Sequence, residues 1–176
     1  MFRLSTLTIN QKVKPFVLEA PFQFAWTYEQ NENVVQASYR VVVSSSEEHQ
    51  GDYWDTGVIA SSKMNNILYT GKEIPSRKEV FVKVITTSTN GESSEITNKF
   101  ETTLSEDEWK GRWVSVPDNF TGGTLRFRKV LELKDKPIKR ARAYIIGLGY
   151  HEFYVNGKKV GDAVLNPGVT EYAQTQ

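Results

Sequence analysis

Apolar and polar residues alternate in short runs along most of the chain, and turn-forming residues separate these runs about every ten positions. Phe22, Phe24 and Trp26 form one such run. The same spacing recurs at Tyr39, Val41 and Val43 and at Val80, Val82 and Val84. A period of two places the apolar side chains on one face of a strand. With turn signals such as residues 31–33 and Asn90-Gly91 between the runs, the pattern predicts an all-β fold.

A short acidic segment near the middle of the chain marks a joint between two β-rich regions. Ser105 and Glu108 have the spacing of a capping box, which predicts a helical turn directly before Trp109. Strand-like alternation resumes beyond this turn. The strands predicted there are residues 112–116, 125–133 and 141–146. The joint divides the chain into a predicted first domain at 1–104 and a second at 105–176.

Asn156-Gly157 is the strongest hairpin signal in the sequence. It separates Phe153-Tyr154-Val155 from Lys158-Lys159-Val160. Because asparagine and glycine both accept positive φ angles, this pair predicts a two-residue turn between antiparallel strands.

Composition narrows the class of protein without identifying it. Hydrophobic residues make up 39% of the 176 residues and charged residues 24%, which is enough apolar content for a core. The 22 basic and 21 acidic side chains give a net charge of +1, which argues against a nucleic-acid partner. There is no cysteine, so disulfide scaffolds and thiolate metal sites are excluded. No apolar run is long enough for a membrane span.

The amino terminus leaves two possible cellular locations for the protein. Residues 1–10 lack the apolar stretch of a signal peptide. We therefore expect either a cytoplasmic protein or one whose leader was removed, in which case a secreted or periplasmic parent protein is favoured.

Residues with catalytic potential are few. His49 and His151 are the only histidines and have no partner at metal-ligand spacing, so we expect no metal and no cofactor. Asp52 and Asp55 flank Tyr53-Trp54, and two carboxylates beside an aromatic ring could in principle act on a sugar. The favoured interpretation is that these aspartates cap turns.

Residues 20–103 resemble a fibronectin type III domain. The positions that carry this resemblance are Trp26, Tyr39-Arg40-Val41, Tyr69, Pro75, residues 80–84, residues 90–94 and Phe100-Glu101-Thr102. Val80 stands where that fold commonly has its corner tyrosine. The resemblance implies an immunoglobulin-like or fibronectin type III-like sandwich over the first domain.

A second resemblance covers nearly the whole chain. Residues 52–57 (DYWDTG), 100–102 (FET), 109–114 (WKGRWV), 143–162 (AYIIGLGYHEFYVNGKKVGD) and 165–172 (LNPGVTEY) occur in this order. They are similar to the amino-terminal region of bacterial α-L-rhamnosidases of glycoside hydrolase family 78. The resemblance implies that residues 105–176 begin a second, jelly-roll-like β-sandwich that is incomplete here.

The family resemblance implies an inverting enzyme that removes terminal α-L-rhamnose, with its carboxylates on an (α/α)6 barrel. No such barrel is encoded in this chain, so no residue here is assigned a catalytic role. The chain is interpreted as non-catalytic accessory domains whose partner is the catalytic domain. An unpaired edge of the second sandwich could also associate with a second copy.

Two alternatives remain open at this stage. The chain could be a stand-alone carbohydrate-binding module for a rhamnose-containing glycan, with an aromatic platform. The candidates for such a platform are Trp54, Trp109, Tyr150 and Tyr154. It could instead be a fibronectin-type adhesion or spacer module that binds protein through its loops.

Overall fold

The computed structural model describes residues 2–29, 35–117, 119–138 and 140–165. Its backbone divides into two compact units, Met1–Trp113 and Val114–Gln176. The turn predicted at residues 31–33 and most of the segment at 165–172 lie outside the described residues. No α-helix occurs in the described parts of either unit, so the predicted all-β class is confirmed.

The described part of the first unit contains nine strands in two sheets. They are β1 (Leu4–Ile9), β2 (Val17–Leu18), β3 (Gln23–Tyr28), β4 (Gln36–Ser44), β5 (Trp54–Asp55), β6 (Ile59–Ala60), β7 (Ile67–Leu68), β8 (Glu79–Ser88) and β9 (Ser93–Thr102). One sheet has the order β1-β3-β7. The other has the order β2-β9-β8-β4-β5, and β6 also pairs with β4. All pairings are antiparallel except that of β2 with β9.

The core lies between the two sheets, where the alternating residues of the sequence meet. Phe24 and Trp26 from β3 pack in one cluster with Val41 and Val43 from β4. The valines at positions 80, 82 and 84 of β8 join them and are fully buried. These residues confirm the three runs predicted from the sequence, because each run turns one face of its strand inward.

The second sheet turns a charged face outward. Cross-strand ion pairs lie along this face, with nitrogen-to-oxygen distances from 2.5 to 3.2 Å. They join Arg40 to Asp55, Lys83 to Glu95 and Lys99 to Glu79. Such exposed pairs each contribute little to stability.

The described part of the second unit contains one short hairpin, β10 (Tyr154–Val155) with β11 (Lys158–Lys159). Asn156 and Gly157 between them have φ angles of 48° and 78°, as predicted for this turn. The predictions of strands at 112–116, 125–133 and 141–146 are wrong for the residues described there. A strand needs a neighbour for its backbone groups, and these segments have no ladder partner among the described residues. Their large apolar side chains are therefore mostly exposed.

Replacing Gly157 with valine should abolish the β10–β11 pairing. No atom outside the neighbouring residues lies within 4 Å of the added Cβ, so the penalty comes from the left-handed backbone alone. That conformation costs an L residue about 1–2 kcal/mol, and more when the side chain is β-branched. NMR contacts between Tyr154 and Lys159 should disappear. Gly123→Val is the matched control, because Gly123 is equally open and lies outside the positive-φ region; equal effects of both changes would contradict the argument.

Candidate functional site

Trp54, the first candidate of the aromatic platform, packs within the first unit. Its ring stacks on Phe24 with centroids 6.2 Å apart and meets Tyr69 edge-on at 5.3 Å. A Cβ on Gly71 would lie 2.5 Å from that of Trp54, so the backbone at Gly71 packs closely against the start of this side chain. Burial raises the pKa of Tyr69 to about 12, which fits the enclosed character of this cluster. Trp54 is thus partly buried against protein.

Asp52 and Asp55 serve the turns around β5. Asp52 accepts a hydrogen bond from the backbone N–H of Ser45 at 2.9 Å. Asp55 accepts from Arg40 at 2.8 and 2.5 Å and from the N–H of Gly57 at 2.9 Å. These contacts confirm the turn-capping interpretation.

The charge states of the two aspartates also argue against acid catalysis. The hydrogen bond from Arg40 is the main cause that lowers the pKa of Asp55. Burial acts to raise the pKa of Asp52, but hydrogen bonds from Ser45 and the charge of Lys72 outweigh it, so that pKa is lowered too. A general acid in glycoside hydrolysis needs a raised pKa. Neither carboxyl group meets that requirement.

The other three platform candidates are more exposed than Trp54. Trp109, which follows the acidic turn, is 45% exposed, and Tyr150 and Tyr154 in the second unit are 59% and 52% exposed. The Tyr154 hydroxyl donates to Glu152 at 2.6 Å, and Lys159 contacts the same carboxylate at 2.6 Å. Tyr154 is therefore held in place on the hairpin while much of its surface stays open.

Each of the two histidines packs against protein within its own unit. In the described ranges, no cluster of three or more histidine, aspartate or glutamate side chains could hold an ion. His151 packs against Gly147, where an added Cβ would lie 2.6 Å from its Nδ1 atom. His49 lies in the first unit against Phe81.

Glu108 joins the acidic turn to the loop before β8, and the sequence indicated only part of this junction. A 3₁₀ turn covers Glu106–Glu108, with the predicted capping box at Ser105. The Glu108 carboxylate accepts hydrogen bonds from the Ser105 hydroxyl at 2.8 Å and from Arg77 at 2.6 Å, and a further one from Ser76. Ser76 and Arg77 belong to the loop before β8, so this carboxylate fastens the turn to the sandwich. The capping box was readable from spacing, whereas the contacts more than thirty positions away were not.

Glu108→Gln should loosen this junction in a pH-dependent way. The hydrogen bonds from Ser76 and Ser105, with the charge of Arg77, lower the pKa of Glu108 to about 2. A carboxyl group with a depressed pKa stabilises the fold above its unfolded pKa of about 4.3 and loses that contribution as the pH falls toward 2. The variant should therefore differ most from the parent above pH ~5 and least near pH 2.

Hydrogen exchange at the backbone N–H of Trp109, which bonds to Glu106, measures this local effect. Glu106→Gln, in the same turn, is the control and should leave the protection of that amide unchanged. A difference between Glu108→Gln and the parent that is the same at pH 2 and pH 7 would contradict the assigned role.

The arrangement of the first unit defines an immunoglobulin-like β-sandwich. The chain belongs to the family of Rha78A-like N-terminal immunoglobulin domains, whose sequence model matches residues 4–106. A second model, the α-L-rhamnosidase N-terminal domain, matches residues 136–176. The two matches follow one another in the order that the sequence predicted.

Three relatives that match this chain are α-L-rhamnosidases, which agrees with the two family models. Two α-L-rhamnosidases of Formosa agariphila are 27% and 32% identical over 93% and 85% of this chain. One of Alteromonas sp. is 30% identical over 88% of it. The chain spans about a fifth of the length of these proteins, namely 20%, 18% and 19%.

Solved structures give the same result for the fold. A Streptomyces avermitilis α-L-rhamnosidase complexed with L-rhamnose matches with a TM-score of 0.61 and 25% identity, over 66% of this chain and 12% of that one. An α-L-rhamnosidase from Dictyoglumus thermophilum matches with a TM-score of 0.59 and 33% identity, over 65% and 14%. The chain thus matches the N-terminal domains of rhamnosidases.

Among the described residues of this chain, no helix is long and apolar enough to cross a bilayer.

Proposed function

We propose that this chain is the non-catalytic, amino-terminal part of an α-L-rhamnosidase and supports a catalytic domain that hydrolyses terminal α-L-rhamnose. The observation that carries the proposal is the ordered match of residues 4–106 and 136–176 to two N-terminal domains of that enzyme class. The aspartates at positions 52 and 55 support it, since their lowered pKa values and their hydrogen bonds leave the carboxylate pair beside Trp54 without a general acid.

The test compares two polypeptides on an aryl α-L-rhamnoside. One is the 176-residue chain, and the other is the product of the complete reading frame that contains it. We expect the longer product to release rhamnose and the 176-residue chain to release none above the blank. Circular dichroism of the short chain serves as the control for folding. Hydrolysis by the short chain, or none by a folded longer product, would overturn the proposal.

Exposed aromatic side chains favour a second function, binding of a rhamnose-containing glycan. Tyr150 and Tyr154 keep half or more of their surface open, and exposed rings can stack on the apolar face of a sugar. Titration with L-rhamnose by calorimetry should then give saturable heat that is lost in Tyr150→Ala or Tyr154→Ala. Phe16→Ala, which removes an exposed ring of the first unit, is the matched control. Absence of heat from the parent chain would exclude this function for L-rhamnose.

The apolar surface of the second unit supports a proposed contact with further polypeptide. Leu131 and Leu133 are among its exposed large side chains, and unpaired backbone beside them could accept a neighbouring strand. We propose the catalytic domain as the usual neighbour and a second copy when that domain is missing. Sedimentation should show concentration-dependent self-association of the 176-residue chain that is reduced in the longer product. A strictly monomeric short chain would contradict the second contact.

A further inference from the structure

The loop between β4 and β5 covers an aromatic residue on the outer face of the second sheet. Phe81 points away from the core, yet it is only 9% exposed. The His49 ring from this loop meets it edge-on, with centroids 6.5 Å apart and an interplanar angle of 84°. The Lys99 ammonium also lies over the Phe81 ring, 5.6 Å from its centroid. A cavity of about 460 Å³ opens beside the ring and is lined by Glu47, His49, Phe81, Thr97, Asn98 and Lys99.

The His49 side chain is held in a way that suits only its neutral form. Its Nδ1 atom is buried and has no hydrogen-bond partner. The neutral tautomer with its proton on Nε2 leaves a bare acceptor at this position, which costs less than an unpaired donor. Protonation would place an N–H at Nδ1 with no acceptor in reach, and a buried N–H without a partner is costly.

The charges that face His49 come from three elements. Lys83 lies on β8, Glu95 and Lys99 lie on β9, and Glu47 lies on the loop itself. The carboxylates of Glu95 and Glu79 are already paired with Lys83 and Lys99. Burial is the main cause that lowers the pKa of His49, and Lys83 lowers it further, against the opposing effects of Glu95 and Glu47. The surroundings therefore offer no strong partner for an imidazolium.

The backbone at this point is also poised to move. His49 has a φ angle of 51°, in the left-handed region that non-glycine residues seldom adopt. The loop is held by the N–H of His49 to the Ser46 carbonyl at 3.3 Å, the N–H of Gly51 to the Ser44 hydroxyl at 2.8 Å, the N–H of Ser45 to Asp52 at 2.9 Å and Lys72 Nζ to the Asp52 carbonyl at 2.9 Å. Of these bonds only the one from His49 joins two backbone groups, and a loop held mainly through side chains can open without unfolding the sheet beneath it.

We propose that His49 is a pH-sensitive latch, which holds the β4–β5 loop over Phe81 when neutral and releases it when protonated. Release exposes the Phe81 ring and takes away the wall of the cavity that Glu47 and His49 form, which leaves Thr97 and Lys99 open. The latch thus couples acidification to the uncovering of an aromatic and cationic surface on the outer face of the sheet.

The direction of the pH effect follows from the lowered pKa. The open loop has an ordinary histidine with a pKa of about 6.5, and the closed loop binds the proton more weakly. The closed state is therefore fully favoured above pH ~6.5 and is lost as the pH falls toward the lower pKa of the closed state. Within that window the ratio of open to closed loops rises as the pH falls, by at most about tenfold per pH unit, and it levels off below the pKa of the closed state.

Hydrogen exchange of individual amides in the intact 176-residue chain tests this proposal. The protection factor of the Gly51 amide, corrected for the intrinsic pH dependence of exchange, should fall as the pH decreases from ~6.5, by at most about tenfold per pH unit, and then level off. The midpoint should coincide with the titration of the His49 ring signals. The Gly91 amide, bonded to Ser88 in the β8–β9 turn, reports on the sheet itself and should stay protected. A flat profile at Gly51, or a parallel loss at Gly91, overturns the latch.

Two variants separate His49 from the carboxylates around it. His49→Phe keeps a ring against Phe81 and cannot titrate, whereas His49→Asn tolerates the left-handed backbone and removes the ring. Protection at Gly51 should be independent of pH in both, and lower in His49→Asn at neutral pH than in the parent. If either variant shows the acid-induced loss of the parent, the titrating group is a carboxylate and the proposal is wrong.

Discussion

Trp26→Ala should lower the free energy of unfolding of the first unit by about 3–5 kcal/mol. The indole is 3% exposed in the core between the two sheets. It meets Tyr39 edge-on at 5.3 Å, and its Nε1 donates to Gln36 at 2.9 Å. Truncation therefore leaves a cavity at the centre of the sandwich and removes one of the two donors to the buried Gln36 Oε1 atom.

Urea denaturation followed by far-ultraviolet circular dichroism measures this loss without relying on tryptophan emission. Trp113→Ala is the matched control, because that side chain is 62% exposed and its removal should cost less than about 0.5 kcal/mol. A loss below about 1 kcal/mol for Trp26→Ala would mean that the indole does not anchor the core. The difference between the two tryptophans thus tests the sandwich directly.

The strands of the first unit were predictable because their alternation is strong and local. Val80, Val82 and Val84 have a period of two, and Phe81 between them lies on the opposite face as the pattern requires. The Asn156-Gly157 turn was predictable for a similar reason, since two neighbouring residues determine its backbone. Neither feature depends on information from distant parts of the chain.

The strands predicted in the second unit were wrong for a physical reason. Residues 125–133 alternate as a strand does, but alternation states only which face is apolar, and a ladder also needs a partner strand.

Long-range pairings in the first unit were equally hidden from the sequence. The parallel pairing of Val17–Leu18 with Glu101–Thr102 joins positions more than eighty apart and left no local signal. The capping role of Asp55 was anticipated, whereas its bidentate partner Arg40 could be found only once β4 and β5 were paired.

Gln36 is a buried structural residue that the sequence pattern did not predict. It follows a polar stretch and resembles a surface residue, yet it is 4% exposed. Its Oε1 accepts from the Trp26 indole at 2.9 Å and from the Tyr28 hydroxyl at 2.7 Å. Its Nε2 donates to the carbonyl oxygens of Ser61 and Lys63 at 2.8 and 3.0 Å. One amide thus satisfies two aromatic donors of β3 and two carbonyls of the loop before β7.

Gln36→Leu should destabilise the first unit by about 2–4 kcal/mol, although leucine has a similar size and is more apolar. The substitution removes the Gln36 partner of the buried Trp26 donor, of the partly buried Tyr28 hydroxyl and of two loop carbonyls, and an orphaned buried group costs more than a hydrogen bond contributes on average. Gln50→Leu, at an exposed glutamine that contacts Glu48, is the control and should change the free energy of unfolding by less than about 0.5 kcal/mol.

Gln36→Glu tests the same network through its pH dependence. The carboxylate would retain the two aromatic donors but face the carbonyl oxygens of Ser61 and Lys63, so its pKa in the folded protein should rise above that of the unfolded chain. A raised pKa means that stability is highest below the unfolded value of about 4.3 and is lost as the pH increases through the folded value. The variant should therefore approach the stability of the parent in acid and fall away from it at neutral pH. A loss that is independent of pH would show that Gln36 contributes by packing, and that the aromatic donors and the loop carbonyls are satisfied by other means.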